Sequence, residues 1–266
     1  MVTFPNAKIN IGLNILSKRQ DGYHNIDSCF YPIPFTDILE IVKADKFEFT
    51  SSGITIPGEG NLCTEAFELL RRDYKIGEVK IHLHKNIPIG GGLGGGSADA
   101  TFTLKMLNKM FELGLSKSML KEYAAQLGSD CPFFVENKPA LAEETGTKLK
   151  VFDLNLKGYF LVLIAPGIHV STAEAYSGVT PGIARTHLHG ELKTPIENWK
   201  HTISNDFETS VFPKYPKIGQ VKKRLYSIGA LYASMTGSGS TVYGLFSEKP
   251  DINALGEAVC WSGWLD

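Results

Sequence analysis

The chain has 266 residues, 43% of them hydrophobic and 21% charged, a balance that fits a globular protein with one large or two medium domains and a substantial core. Lys plus Arg number 27 against 28 Asp plus Glu, so no global positive field favours nucleic acid, none is expected as a partner, and an anionic ligand has to be held locally. The N-terminus lacks a continuous apolar signal core, the run Phe160 to Ala165 is too short to span a bilayer, and Cys29, Cys63, Cys131 and Cys260 form no C-x-x-C pair; a cytoplasmic location without membrane contact, zinc site or disulfide framework is expected.

Along the chain, Ala7, Ile9, Ile11, Leu13 and Ile15 alternate with Lys8, Asn10, Gly12 and Asn14, which predicts a strand with one apolar face and puts Lys8 and Asn10 on the other. Asp21-Gly22 marks a turn, and Ser28 to Ile33 and Ile38 to Val42 read as further strands. Asn61 is placed to cap a helix running through Asp73, with Leu62, Ala66, Leu69 and Leu70 inward. Val79, Ile81 and Leu83 alternate with Lys80, His82 and His84, the pattern of a half-buried strand.

The next segment, Gly90-Gly91-Gly92-Leu93-Gly94-Gly95-Gly96, runs into Ser97-Ala98-Asp99-Ala100 and an apolar pattern of helical period. Such a loop turns several N–H groups toward one anion, and a helix opening from it adds free N–H groups and the positive end of its dipole. The pattern reads as a nucleotide phosphate cradle. It lacks the Lys and Ser or Thr that end a Walker A loop, and the first helix leads into a second helical stretch, Lys117 to Leu127, rather than the parallel strand a dinucleotide site needs.

Further on, Pro132 to Val135 and Tyr159 to Ala165 read as buried strands, Lys217 to Ile228 as a helix with Lys222, Lys223 and Arg224 on its solvated face, and Thr241 to Phe246 as a strand after the cluster Gly237-Ser238-Gly239-Ser240. Helices and strands mix without a regular βαβ repeat, so the fold class is α+β. A boundary near residue 153 divides 1–153 from 154–266. His82 with His84, and His187 with His189, are paired by spacing but have no third ligand, and are read as surface histidines rather than a metal clip.

Three motifs, Pro5-x-Ala7-Lys8-Ile9-Asn10, Pro88-Ile89-Gly90 through Ala100, and Thr236-Gly237-Ser238-Gly239-Ser240, resemble those of the GHMP kinases. Asp21-Gly22-Tyr23-His24, Leu127 to Phe134 and Ser204-Asn205-Asp206 resemble the members that phosphorylate a CDP-linked methylerythritol on its 2-hydroxyl in the non-mevalonate route to isoprenoids. The resemblance implies two α+β domains with the active site in the cleft between them, residues 1–153 binding ATP and residues 154–266 the second substrate. It implies a monomer or homodimer with small-molecule partners, ATP and a CDP-linked sugar alcohol, ATP bringing Mg²⁺ as co-substrate with no tightly bound cofactor and no assigned protein ligand for the metal.

Carried over by motif position, Asp130 is the acid/base residue and Lys8 its partner. Pro88, Gly90, Gly91, Gly92, Leu93, Gly94, Gly95, Gly96, Ser97 and Asp99 attend the ATP phosphates. Tyr23 and Tyr176 sandwich cytosine while His24 reads its edge, and Asn10, Thr172, Gly237, Ser238 and Gly239 contact substrate. The chemistry is coherent: phosphoryl transfer needs alignment, a carboxylate for the attacking hydroxyl's proton and cations around the γ-phosphate. Two departures stand, Glu144-Thr145-Gly146-Thr147 where Gly-x-Gly-Glu is expected, and a short tail after Phe246. Mevalonate, homoserine or another small alcohol as acceptor, or a silent nucleotide-binding protein, are the alternatives.

Overall fold

The computed structural model describes residues 1–266 except 59, 183–187 and 256–258. In chain order its strands are β1 (Val2–Thr3), β2 (Asn6–Lys18), β3 (His24–Thr36), β4 (Ile38–Lys43), β5 (Glu48–Gly53), β6 (Val79–Lys85), β7 (Ala140–Glu144), β8 (Lys148–Val151), β9 (Phe160–Ile164), β10 (Tyr232–Met235), β11 (Val242–Phe246) and β12 (Val259–Trp264). The helices are α1 (Leu62–Asp73), α2 (Gly95–Met110), α3 (Lys117–Leu127), α4 (Phe133–Glu136), α5 (Thr172–Ser177), α6 (Leu188–Glu191), α7 (Ile196–Thr202), α8 (Glu208–Lys214) and α9 (Pro216–Ser227). Contacts group the chain into two compact units, one of Met1–Lys8, Pro34–Ile89 and Gly94–Lys138, the other of Ile9–Ile33, Gly90–Leu93 and Pro139–Asp266.

In the first unit a sheet of order β1-β4-β6-β5 runs antiparallel except for β5, which lies parallel to β6 with Gly53 opposite Lys85. Its inner face, Leu39, Ile41, Val79, Ile81 and Leu83, packs with Phe67 and Leu70 of α1 and Leu104 and Leu107 of α2 into one buried cluster. The Asn61 side chain accepts from the Cys63 N–H at 2.7 Å and starts α1. The Ser116 hydroxyl accepts from the Met119 N–H and starts α3. Pro132 to Val135, read above as a strand, enters a helical turn instead. Asp130 O accepts from Phe133 N–H, and Phe133, Phe134 and Val135 are all buried. A short apolar run buried on every side carries no period to tell strand from helix.

In the second unit β10-β11-β9-β12 form an antiparallel sheet, and β7 joins β3 to β8 in another. Val162, Ile164, Val242 and Met235 meet Ile218, Val221 and Leu225 of α9 in its core. Strand β10 pairs with β11 from Tyr232↔Leu245 to Met235↔Val242, so the late glycine cluster is the connection of a hairpin. In the segment Glu144 to Thr147, Glu144 ends β7 and Thr145 to Thr147 are the turn before β8, with Gly146 at φ 90°.

Candidate active site

In the first unit, Lys8 lies on β2 and is 3% exposed, so the polar face expected of that strand is covered as well. Its ammonium lies 3.3 Å from Asp130 Oδ2, whose carboxyl is about one third exposed, with 30% of the side chain accessible. Asp130 sits on the tight turn after α3, where the Cys131 N–H reaches Gly128 O at 3.2 Å. The Thr101 hydroxyl of α2 lies 2.8 Å from Cys131 O and ties this turn to the helix that opens from the glycine loop. Lys8 and Asp130, partners by the family resemblance alone, are therefore brought together.

Gly94 is the residue before α2, at φ 69°, and makes no side-chain cap. A Cβ here would stand 3.1 Å from Lys8 Cγ and 3.2 Å from the Phe134 ring, so the loop passes against the lysine because this residue has no side chain. With no side-chain acceptor at the cap, the first N–H groups of α2, from Gly95, Gly96 and Ser97, remain for an anion. Ser97 and Pro88 are half-buried and Gly96 is exposed.

Asp99 points elsewhere. It is buried, accepting from Lys85 Nζ at 2.8 Å, and the same ammonium donates to Asp37. Asp37 Oδ1 in turn accepts from the Asn86 and Ile87 N–H groups at 2.6 and 2.8 Å, while Asp99 Oδ1 is buried with no hydrogen-bond partner among the described residues. Burial pushes the Asp99 carboxyl up to about 7 against the pull of Lys85, with Asp37 adding to the rise. For Lys85, burial opposes the charge but the two carboxylates outweigh it and its pKa is raised. No sequence motif singles out Lys85, although it continues the phase of Val79, Ile81 and Leu83 into the buried face, and a lysine in that phase is the signal for a buried ion pair.

In the second unit, Thr236 joins two residues predicted for the site, Gly92 and Asn10. Its hydroxyl donates to Gly92 O at 3.0 Å and accepts from the Asn10 N–H at 3.0 Å. A Cβ on Gly92 would lie 2.1 Å from Thr236 O, a separation only glycine permits. The Thr241 N–H reaches Gly91 O at 3.3 Å. Asn10 is buried and gives its amide to the Ser28 hydroxyl at 2.9 Å. Gly91 and Gly92 of the glycine loop, Asn10 and the Thr236–Thr241 hairpin connection thus pack as one assembly. Leu93 is 1% exposed and serves as packing.

The Thr172 and Ser238 hydroxyls lie 3.4 Å apart. The aromatic pair differs from expectation: His24, not Tyr23, faces Tyr176, with ring centroids 4.4 Å apart and planes 15° from parallel. Tyr176 meets Phe207 edge-on at 4.8 Å, and Tyr23 is 67% exposed. Burial, then the Lys18 charge, lowers the His24 pKa, so its ring is neutral near pH 7.

Among the paired histidines, His82 and His84 are half-buried and share the Ser52 hydroxyl at 2.9 Å each, His82 also meeting Thr50 at 2.8 Å. His187 lies outside the described residues, and His189 packs against the Phe152 ring. Among the described residues no three His, Cys, Asp or Glu gather as a metal site. Lys222 leaves the solvated face expected of it and pairs with Glu208.

The chain belongs to the GHMP kinase family. The profile of GHMP kinases N terminal domain matches residues 61–138 and that of GHMP kinases C terminal matches residues 185–261. Among its relatives is the 4-diphosphocytidyl-2-C-methyl-D-erythritol kinase of Cytophaga hutchinsonii, 53% identical over 94% of this chain and 94% of the relative. The kinase of that name from Bacteroides fragilis is 51% identical over 96% of this chain and 95% of its own. The crystal structure of a 4-(cytidine 5'-diphospho)-2C-methyl-D-erythritol kinase superimposes with a TM-score of 0.85 at 30% identity, covering 99% of this chain and 98% of the other. Among the described residues no helix is long and apolar enough to cross a membrane.

Proposed function

We propose that this chain transfers the γ-phosphoryl group of ATP to the 2-hydroxyl of 4-diphosphocytidyl-2-C-methyl-D-erythritol, toward isoprenoid precursors, as its full-length relatives suggest. The observation that carries the reading is the Lys8–Asp130 pair at 3.3 Å. Asp130 accepts the proton of the attacking hydroxyl as its oxygen bonds to the γ-phosphorus, the bond to the β–γ bridging oxygen breaks, and ADP leaves in line, with no phosphoenzyme. The Lys8 charge stands beside both the carboxylate and the incoming oxygen.

The Gly90–Gly96 backbone and the first turn of α2 hold the ATP phosphates. Mg²⁺ arriving on ATP neutralises phosphate charge when bound, and the Ser97 hydroxyl is the hard oxygen the chain offers beside the loop. Asp99, paired with Lys85, supports the loop from beneath. A cytosine stacking on Tyr176 takes the place His24 holds, with Tyr23 closing on its other face. Asn10, Thr172 and the Gly237–Gly239 loop contact the substrate. The two family matches, 61–138 and 185–261, support a division near residue 153 into an ATP part, 1–153, and a substrate part, 154–266, although by contacts Ile9–Ile33, Gly90–Leu93 and the residues from Pro139 onward group with the second unit. The four free cysteines support a reducing cytoplasm.

The test is mass-spectrometric detection of phosphorylated product from ATP, Mg²⁺ and a panel of the CDP-linked alcohol, mevalonate, homoserine and galactose. Product from the CDP-linked alcohol alone is expected. Product from another alcohol would discard the cytidine pocket, and none from any, with ATP still bound, would discard the kinase.

A further inference from the structure

The segment Ser204-Asn205-Asp206 marks the family resemblance, yet none of its residues has a role in the phosphoryl transfer itself. Its backbone is stitched to β2: the Leu13 N–H donates to Ser204 O at 2.9 Å, the Asp206 N–H to Leu13 O at 2.8 Å, and Asp206 Oδ2 accepts from the Ile15 N–H at 2.7 Å. Asn205 is held between these anchors and is 2% exposed.

Its amide is fully engaged on both sides. The nitrogen donates one proton to Met235 O and the other to Gly237 O, each at 2.8 Å, and Oδ1 accepts from the Phe207 N–H at 3.0 Å. Two donors and an acceptor in one short planar group are what a carboxamide supplies and an aspartate or leucine of the same size does not.

The loop being gripped is closed on itself by the Thr236 N–H to Thr241 O at 2.9 Å and the Gly239 N–H to Thr236 O at 3.0 Å, and the Gly237 carbonyl between these closures is taken by Asn205. Gly237 and Gly239 sit at φ 55° and 91°, conformations glycine reaches freely and leaves as freely. In a trans peptide the carbonyl of one residue and the N–H of the next point in opposite directions. Drawing Gly237 O inward to Asn205 therefore turns the Ser238 N–H outward, on the side away from the buried amide.

We propose that Asn205 is a positioning residue that aims the Ser238 N–H at the anionic part of the substrate by clamping Gly237 O and Met235 O. The proposal rests on the kinase reading for the identity of the ligand, and on the hydrogen bonds alone for the clamp. Asn205 touches no reacting atom; it orders a donor so that the loop meets negative charge without first being immobilised.

The test pairs Asn205→Asp, which keeps the shape but sets a carboxylate against two carbonyl oxygens, with Asn205→Ala, which removes the grip without adding charge. Hydrogen–deuterium exchange of the unliganded full chain reads the clamp, and steady-state kinetics with ATP and the CDP-linked alcohol read its consequence. Exchange is expected to rise about tenfold in residues 236–241 while β9 and β11 keep their protection. The kcat is expected to fall about tenfold to a hundredfold, as two lost hydrogen bonds allow, with KM for ATP unchanged.

Unchanged exchange in 236–241 overturns the clamp, and a released loop with wild-type kcat overturns its purpose. Exchange rising equally through the second unit, or neither variant folding, makes Asn205 a stability residue and also overturns the proposal. A wild-type chain that phosphorylates no CDP-linked alcohol sinks the kinase reading instead, and leaves the exchange result to decide the clamp.

Discussion

Replacing Lys85 by Met removes the one ammonium between two carboxylates that are 0% and 2% exposed, Asp37 and Asp99. Breaking a buried pair by deleting one partner costs about 3–5 kcal/mol, because the remaining charge has neither water nor counter-ion. The loss has a sign in pH. The Asp99 carboxyl is already raised from 3.8 to about 7, and an acid whose folded pKa is raised binds its proton more tightly in the folded chain. Its contribution therefore erodes stability as pH rises from its ordinary range through the folded value. Without Lys85 nothing opposes that rise, so Lys85→Met is expected to lose the full amount near pH 8 and distinctly less near pH 5.5, where the folded state keeps a proton on a carboxyl. Urea unfolding followed by circular dichroism at the two pH values measures it. A loss under about 1 kcal/mol would show that the triad is not a working ion pair, and an equal loss at both pH values would refute the proton argument.

Asp130→Asn is expected to lower kcat by at least about a hundredfold, the low end for a general base, while the affinity for ATP measured by calorimetry stays as it was. Gly94→Ala must hold φ 69° and place a methyl group 3.1 Å from Lys8 Cγ, so a stability loss of about 1–2 kcal/mol and a fall in turnover larger than any fall in ATP binding are expected from thermal unfolding and kinetics. Tyr176→Ala should raise KM for the CDP-linked substrate about tenfold, the value of one stacked base, and leave KM for ATP alone; an unchanged substrate KM would move the cytosine elsewhere.

Local pattern made much of this fold legible. Asn61 and the alternation of Val79, Ile81 and Leu83 announce α1 and β6 because caps and periods act over a few residues, and α3 spans Lys117–Leu127 as its pattern indicates. The glycine loop declares itself by composition. What was hidden depends on partners far apart in sequence: Lys85 meets Asp37 across 48 positions, and Asn205 meets Met235 across 30. The run Lys222-Lys223-Arg224 looks uniformly solvated, yet Lys222 lies four residues beyond Ile218 and turns toward Glu208. The Lys8–Asp130 pairing was legible through family resemblance, since nothing in strand period or turn chemistry links positions 8 and 130. The stack of His24 on Tyr176 comes from how one ring settles on another, which spacing does not encode.

The distribution of thiols gives the molecule its own reporters of opening. Cys63 and Cys131 are sealed in the core of the first unit and Cys29 in the second, all at 0% exposure, and burial raises each thiol, Cys131 to about 11 and Cys29 to about 12. A thiol-specific dye therefore reacts at those positions only as fast as each unit breathes. The half-buried Cys260 gives a faster background that one Ser substitution removes. Labelling rates read peptide by peptide then time the opening of each unit separately, with Cys131 recording how often the turn that carries its neighbour Asp130 comes apart.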